Sequence, residues 1–397
     1  MRPSTFLIPL LFALLLTGLA ACQQAPEKAA PELRLEPVSF AELPGWREDD
    51  PLPALPAFRR SCAVFEKRDP GRPMGAKPEF GTIGDWQAVC REAAALPADG
   101  TALRRFFEAR FTPYRITDRG EPEGLFTGYY EPLLRGSTTP DERFRYPLYR
   151  RPPELVTVEL GGFDPELDGK RIAGRLEGGR LLPFPDRAAI EAGALAGRGL
   201  ELLWVDDPIA LFFLHIQGSG QIQLTDGRRI RVGYAGWNGR KYYAIGRALI
   251  ERGAIPKERM SLFAIRDWLE ANPGEAQALM NRNPSYVFFR ELTGLDAASG
   301  PPGTMGVPLA PGRSLAVDRR FLPLGSPLWL DTTAPTPEGE VPLRRLMVAQ
   351  DTGGAIKGPV RGDVFWGTGE LAEYLAGHMK QPGRLYILLP KATAPGV

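Results

Sequence analysis

From Ser314 to Gly369 the chain alternates short apolar runs with turns rich in Gly and Pro, a pattern that fits short strands and leaves no room for long helices. Three aspartates stand at the edges of these runs. Asp318 follows Leu315-Ala316-Val317. Asp351 follows the apolar stretch Leu346 to Ala349 and opens Thr352-Gly353-Gly354. Asp363 follows Gly362 and opens Val364-Phe365-Trp366. A sheet holds rigidly what stands at its strand ends, and loops positioned in this way tend to carry function. A carboxyl beside Phe and Trp is desolvated, which raises its pKa and suits it to act as a general acid. The competing reading is that each Asp caps a turn. With 45 Gly and 40 Pro, the whole chain is expected to be mainly β, with a helical minority.

At 397 residues the chain exceeds the usual size of one domain, so two are expected. Its net charge of +2, from 49 basic against 47 acidic residues, sets up no field that would draw nucleic acid. Residues 1–22 read as a signal peptide: Arg2, an apolar stretch from Phe6 to Leu19, then Leu19-Ala20-Ala21-Cys22. The ending resembles a bacterial lipoprotein signal, with Cys22 as the lipidated first residue; a plain secretory signal is the alternative. Gln23 stands where an Asp would resemble an inner-membrane retention signal, so the expected location is the periplasmic face of the outer membrane, lipid-anchored. Residues 23–56, rich in Pro, Ala and Glu, read as an extended tether. Cys62 and Cys90 form an even pair in a compartment that permits oxidation and are read either as a disulfide or as two small buried apolar residues.

Asp99-Gly100-Thr101 signals the start of a helix that turns Leu103, Phe106, Phe107 and Phe111 to the core. The alternation from Gln221 to Val232 around Asp226-Gly227 predicts a hairpin. Helices are expected over Tyr243–Arg252, Lys257–Asn272 and Gly274–Arg282, and strands return after Pro301-Pro302-Gly303.

Several motifs point elsewhere and fail on inspection. Asp351-Thr352-Gly353 matches the aspartic-protease tripeptide, but no second copy exists to share a proton with it. Gly354 to Gly358 lacks the spacing and the Ser or Thr of a phosphate loop. Gly218-Ser219-Gly220 is not a nucleophile elbow, and His215 lies in the apolar run Ile209 to Ile216, a core position. With His215 and His378 the only histidines, no metal or other cofactor site is expected.

The segment from Asp318 through Pro323-Leu324-Gly325, Asp351 to Gly358 and Gly362-Asp363-Val364 resembles the three-aspartate domain of peptidoglycan-cleaving proteins. Further motifs are Phe126-Thr127-Gly128-Tyr129-Tyr130-Glu131-Pro132, Tyr146 to Arg150, Gln217 to Gly220 and Asn283 to Phe289. Together they resemble the membrane-bound lytic murein transglycosylase A family. The resemblance implies a double-psi β-barrel built from residues 57–131 and 291–397, interrupted by a smaller β-rich domain over 132–290, with a groove between the two. It implies a peptidoglycan lytic exotransglycosylase that cleaves the β-1,4 bond between N-acetylmuramic acid and N-acetylglucosamine and leaves a 1,6-anhydromuramoyl end. It makes glycan strands the partner, brings in a murein synthase as a further partner class, and fits a monomer.

By the same resemblance Asp363 is the acid. Asp351 is the second choice for that role, and Asp351 and Asp318 orient groups and bond along the groove. Thr127, Tyr129, Tyr130, Gln217, Ser219 and Gly220 bind sugar, and Lys357 faces substrate carboxylates. Arg361-Gly362 departs from the family, in which an aromatic residue precedes the third Asp. Two other functions fit the same sequence: a hydrolase using water, and a non-catalytic lipoprotein that binds glycan.

Overall fold

Six strands close into a barrel in the order Lys380–Pro390, Pro327–Thr336, Gly339–Asp351, Ser314–Val317, Arg361–Thr368 and Gly124–Glu131, the last pairing back to the first. This computed structural model describes residues 30–167, 169–295 and 299–391; Cys22, the expected lipidation site, lies outside the described residues. Two of the pairings are parallel, Ser314–Val317 with Gly339–Asp351 and Arg361–Thr368 with Gly124–Glu131, and the rest of the ring is antiparallel. Parallel neighbours need crossovers, which gives the double-psi topology the resemblance implied. Phe126, Leu315, Val317, Leu328, Met347, Val364 and Ile387 are fully buried in its core.

Three helices, Leu55–Phe65, Ile83–Ala94 and Gly100–Arg110, cover this core. They contribute Phe58, Phe65, Trp86, Phe106 and Phe107, whose rings pack in one cluster with one another and with Phe111 at centroid separations from 5.1 to 6.5 Å. Asp99 caps the third helix, its side chain accepting from Ala102 N at 2.6 Å. That helix ends at Arg110, so Phe111 reaches the core from the start of the next strand. Cys62 and Cys90 are joined by a disulfide that ties the first helix to the second, with Cα atoms 5.3 Å apart.

One expectation is corrected. The segment read as a tether is part of the folded body from Leu33 onward. Leu33–Pro37 is a strand antiparallel to Phe111–Asp118. Leu43 and Trp46 are buried, with the Trp46 ring 5.0 Å from that of Trp329 and its indole N–H donating to Glu108 at 2.8 Å. Arg313 pairs with Asp49 at 2.8 Å. The apolar residues here show no period because each docks on an existing surface rather than forming one.

Between the strands Gly124–Glu131 and Ser314–Val317 the chain builds a second sheet of six strands, in the order Val287–Leu292, Arg229–Trp237, Ser219–Leu224, Leu133–Ser137, Glu201–Val205 and Tyr146–Tyr149. The hairpin expected at Asp226-Gly227 joins two of them. A three-stranded sheet (Leu155–Glu159, Arg171–Glu177 and Arg180–Leu182) and helices Ile245–Glu251, Leu262–Ala271 and Pro273–Asn281 complete this region. The helix Pro208–Gln217 is capped by Asp207, which accepts from Ile209 N and Ala210 N, and stops at Gly218, whose φ of +80° suits glycine. Among the described residues no helix is long and apolar enough to cross a membrane.

Candidate active site

The strand registers set five residues in one row around the barrel: Asp351, Ala316, Asp363, Thr127 and Lys380. Ala316 is opposite both aspartates, Asp363 is opposite Thr127, and Thr127 is opposite Lys380. Residues aligned across a sheet share a face. The neighbours Leu315, Val317, Val364 and Phe126 point into the core, so the row lies on the other face of the sheet, away from the barrel's core. Neighbouring strands are about 4.8 Å apart, which puts the Cα atoms of Asp351 and Asp363 about 10 Å apart with Ala316 between them in the row. A register shift beside Ala316 turns Gln350 inward, where it donates to the Ala57 carbonyl at 2.8 Å and the Ser61 hydroxyl at 3.0 Å, and leaves Asp351 outward.

The two carboxyls are held differently. Asp351 takes four hydrogen bonds: Tyr129 OH on Oδ2 at 2.8 Å, and on Oδ1 Thr304 N at 2.8 Å, Thr304 Oγ1 at 2.9 Å and Thr352 N at 2.9 Å. Asp363 takes one, from Thr127 Oγ1 on Oδ1 at 2.6 Å, and its Oδ2 has no donor among the described residues. Burial pushes Asp363 up to about 6; Arg361 and the Thr127 hydroxyl oppose this, and the charge of Asp351 adds to it. Burial raises Asp351 as well, against the pull of its donors. Tyr129 rises well above the usual phenol value, first through burial and then through the Asp351 charge.

Asp318 belongs to another network. Arg320 donates to it through Nε at 2.9 Å and Nη2 at 2.5 Å, and Gly358 N donates at 3.0 Å. Burial alone would raise its pKa, but these donors hold the carboxyl below its ordinary range. Its work is to anchor Gly358, in the loop that joins Asp351 to Asp363.

Of the three apolar residues expected to desolvate Asp363, Phe365 shares its face and packs against Tyr129 at 5.2 Å, whereas Val364 points into the core. Trp366 lies against Gly128, where a Cβ would come within 2.5 Å of the indole nitrogen, so position 128 must be glycine. Tyr130 OH donates to Glu373 at 2.9 Å, its pKa raised first by burial, and Tyr130 N donates to the Gln217 side chain at 3.1 Å. Ser219 and Gly220 are buried at the start of their strand, and a Cβ at Gly220 would meet Leu214 at 2.5 Å. Lys357 is exposed on the loop between the two aspartates. Sequence reasoning missed Thr304 and Arg361. The signal for Thr304 was Gly303 before it, where a Cβ would lie 2.6 Å from the Gln350 carbonyl. Among the described residues no group of three or more His, Cys, Asp or Glu is placed to hold a metal ion.

Residues 125–290 match the MltA specific insert domain, and residues 313–389 match the 3D domain. The chain is 36% identical over 276 residues to the membrane-bound lytic murein transglycosylase A of Vibrio cholerae, which covers 68% of this chain and 67% of that protein. The crystal structure of a membrane-bound lytic murein transglycosylase from Agrobacterium tumefaciens superposes with a TM-score of 0.78 at 39% identity, covering 90% of this chain and 97% of that one. Escherichia coli MltA with bound chitohexaose superposes with a TM-score of 0.65 at 29% identity, covering 94% and 98%. On the fold, the two matched domains and these relatives, the chain belongs to the membrane-bound lytic murein transglycosylase A family.

Proposed function

We infer that the chain is a peptidoglycan lytic transglycosylase in which Asp363 alone serves as acid and then base. The observation that carries this reading is the contrast in hydrogen bonding: among the described residues Asp351 has four donors, whereas Asp363 has one and its Oδ2 has none. With its carboxyl pushed up to about 6, Asp363 holds a proton over part of the working pH range and can also release it.

The reaction needs no water. The Oδ2 proton passes to the oxygen between N-acetylmuramic acid and N-acetylglucosamine as the bond from C1 to that oxygen breaks, and the muramic ring gains oxocarbenium character. The 6-hydroxyl of the same sugar attacks C1 and gives its proton back to Oδ2. The products are a 1,6-anhydromuramoyl end and a free 4-hydroxyl. Intramolecular attack carries a large effective-molarity advantage over water. Asp351, whose four donors favour its charged form, is the poorer proton source and acts as a fixed negative charge facing the developing cation.

Thr127, Tyr129 and the exposed Lys357 are the residues we place against substrate, with Lys357 meeting lactyl or peptide carboxylates. Tyr130, Gln217, Ser219 and Gly220 shape the junction beside them. Residues 57–131 with 291–397 form the catalytic body, joined by Leu33–Ala54, and 132–290 form the substrate-binding insert. A lipid on Cys22 would hold the whole at the periplasmic face of the outer membrane.

The test is purified protein on isolated sacculi, with the products resolved by mass. New muramoyl ends one water lighter than a reducing muramic acid and inert to borohydride support the reading. Reducing ends carrying heavy oxygen from labelled water would make this a hydrolase, and binding without turnover would make it a glycan-binding lipoprotein.

A further inference from the structure

Arg361 and Asp363 are two residues apart on one strand, so their side chains leave the same face. The guanidinium donates through Nη2 to Thr127 Oγ1 at 2.8 Å, and through Nη1 to the carbonyls of Gly362 and, at 3.3 Å, Leu125. Thr127 Oγ1 in turn lies 2.6 Å from Asp363 Oδ1. A guanidinium can only donate. The Thr127 hydroxyl must therefore accept from Arg361, and its single hydrogen points to Asp363.

The chain Arg361 to Thr127 to Asp363 thus runs in one direction, and Oδ1 is fixed as an acceptor. We propose that Arg361 is a positioning residue for the reaction: by orienting the Thr127 hydroxyl it keeps the transferable proton on Asp363 Oδ2, the oxygen without a protein donor. This deepens the reading of Asp363 as the acid and rests on it.

A second effect follows from charge. The groups that face Asp363 are Arg361 on its own strand, Thr127 and Tyr129 on the neighbouring strand, Asp351 beyond Ala316, and the exposed Lys380 beyond Thr127. Burial and Asp351 drive its pKa upward; Arg361 is the first opposing influence and the Thr127 hydroxyl the second. Removing Arg361 leaves the carboxyl a weaker acid, so it keeps its proton to higher pH but gives it up less readily.

The experiment follows the titration of the Asp363 carboxyl directly, by infrared difference spectroscopy of the full chain against its Asp363→Asn variant. The midpoint in Arg361→Ala should lie about one pH unit or more above the wild type, the usual size of a nearby opposite charge. Thr127→Val should shift it the same way by less, and Arg361→Lys should restore part of the charge but not the orientation of the hydroxyl. On sacculi, kcat of Arg361→Ala should fall about tenfold to a hundredfold with its alkaline limb moved upward, while binding of chitohexaose stays unchanged. An Asp363 midpoint that stays put in both Arg361→Ala and Arg361→Gln overturns the proposal. A midpoint that moves while the pH profile of turnover does not leaves the Arg361 wire standing and removes Asp363 from the role of acid. Should Arg361→Ala fail to fold, Arg361→Gln and Thr127→Val give the same readout.

Discussion

Two buried charged clusters in this molecule invite comparison, one on the barrel and one in the inserted region. In the insert, Arg187 is 2% exposed and fully engaged. It donates to the carbonyls of Asn283 and Ser285 at 3.1 and 2.7 Å and to His215 Nδ1 at 3.0 Å, lies 3.6 Å from Glu191, and sits over the rings of Phe212 and Tyr286. His215 packs 4.2 Å from Tyr286 and is held neutral, its pKa pushed well down by burial and then by Arg187. On the barrel, Asp363 keeps an oxygen with no donor among the described residues. Both clusters bury titratable groups. Burial alone therefore does not mark a reactive group, and neither does an unpaired position, since His215 Nε2 is also buried without a partner among the described residues, against Tyr286 and Phe289. A group whose positions are all filled, as those of Arg187 are, holds the fold, and the candidate acid is the half-open carboxyl on the outward row.

The sharpest way to break this comparison is Asp363→Asn. It should lower release of soluble muropeptides from sacculi by about 10²- to 10⁴-fold, the usual range of general-acid catalysis, while chitohexaose binding persists. Asp351→Asn should keep more activity, because it alters a charge and not the proton that moves. The opposite ranking would hand the acid role to the carboxyl with four donors and void the argument.

Next in size is Arg187→Met. Stranding two carbonyls and Glu191 should cost about 3–5 kcal/mol in urea unfolding, with kcat nearly unchanged for the protein that remains folded. A selective loss of kcat at wild-type stability would place the insert cluster among functional groups instead.

Asp318→Ala tests whether the rule holds inside the barrel itself. This aspartate is saturated as Arg187 is, so its loss should read mainly as stability, about 1–3 kcal/mol for the stranded Arg320 and Gly358 donors, with activity falling only as the Gly358 loop loosens.

The smallest effect is in the pH dependence of Tm. Asp363 titrates near 6 when folded, above its ordinary carboxylate value when unfolded. Its contribution favours the folded state below the unfolded pKa and is lost as pH rises through about 6. Asp363→Asn should accordingly melt above the wild type at pH 7.5, and the difference should close toward pH 4. A gap that widens on acidification would show that the carboxyl is stabilised as an anion.

The sequence showed where the aspartates sit, because apolar runs and turns mark strand ends, but not how the strands meet. The pairing of Arg361–Thr368 with Gly124–Glu131 joins segments more than two hundred residues apart, and no local period reports it. The helix that opens at Asp99-Gly100 and the Asp226-Gly227 hairpin were legible, since caps and turns act within a few residues, whereas the helix over Pro208–Gln217 lay unread in an apolar run. The disulfide was open between two readings because a Cα separation is not written in spacing. Leu33–Pro37 was missed as a strand because its partner, not its own pattern, makes it one. Arg361 was visible only as a departure from the family motif; its role depends on a hydroxyl contributed by another strand.

The Lys380–Pro390 strand closes the ring by pairing at one end with Thr127 and along its middle with Pro327–Thr336. Its place in the chain also sets a timetable. Thr127 and Asp363 are separated by 236 positions, so their contact waits on a strand made long after the first, while the sheet over Leu133–Leu292 has all its strands beforehand. Long-range closure of this kind is slow to form, and until it forms Asp363 has neither its hydroxyl partner nor its buried surroundings. A chain cut short before Lys380 would carry Thr127, Asp351 and Asp363 without the strand that closes the ring beside them. For a family that cleaves peptidoglycan, assembly of the candidate site then follows closure of the barrel.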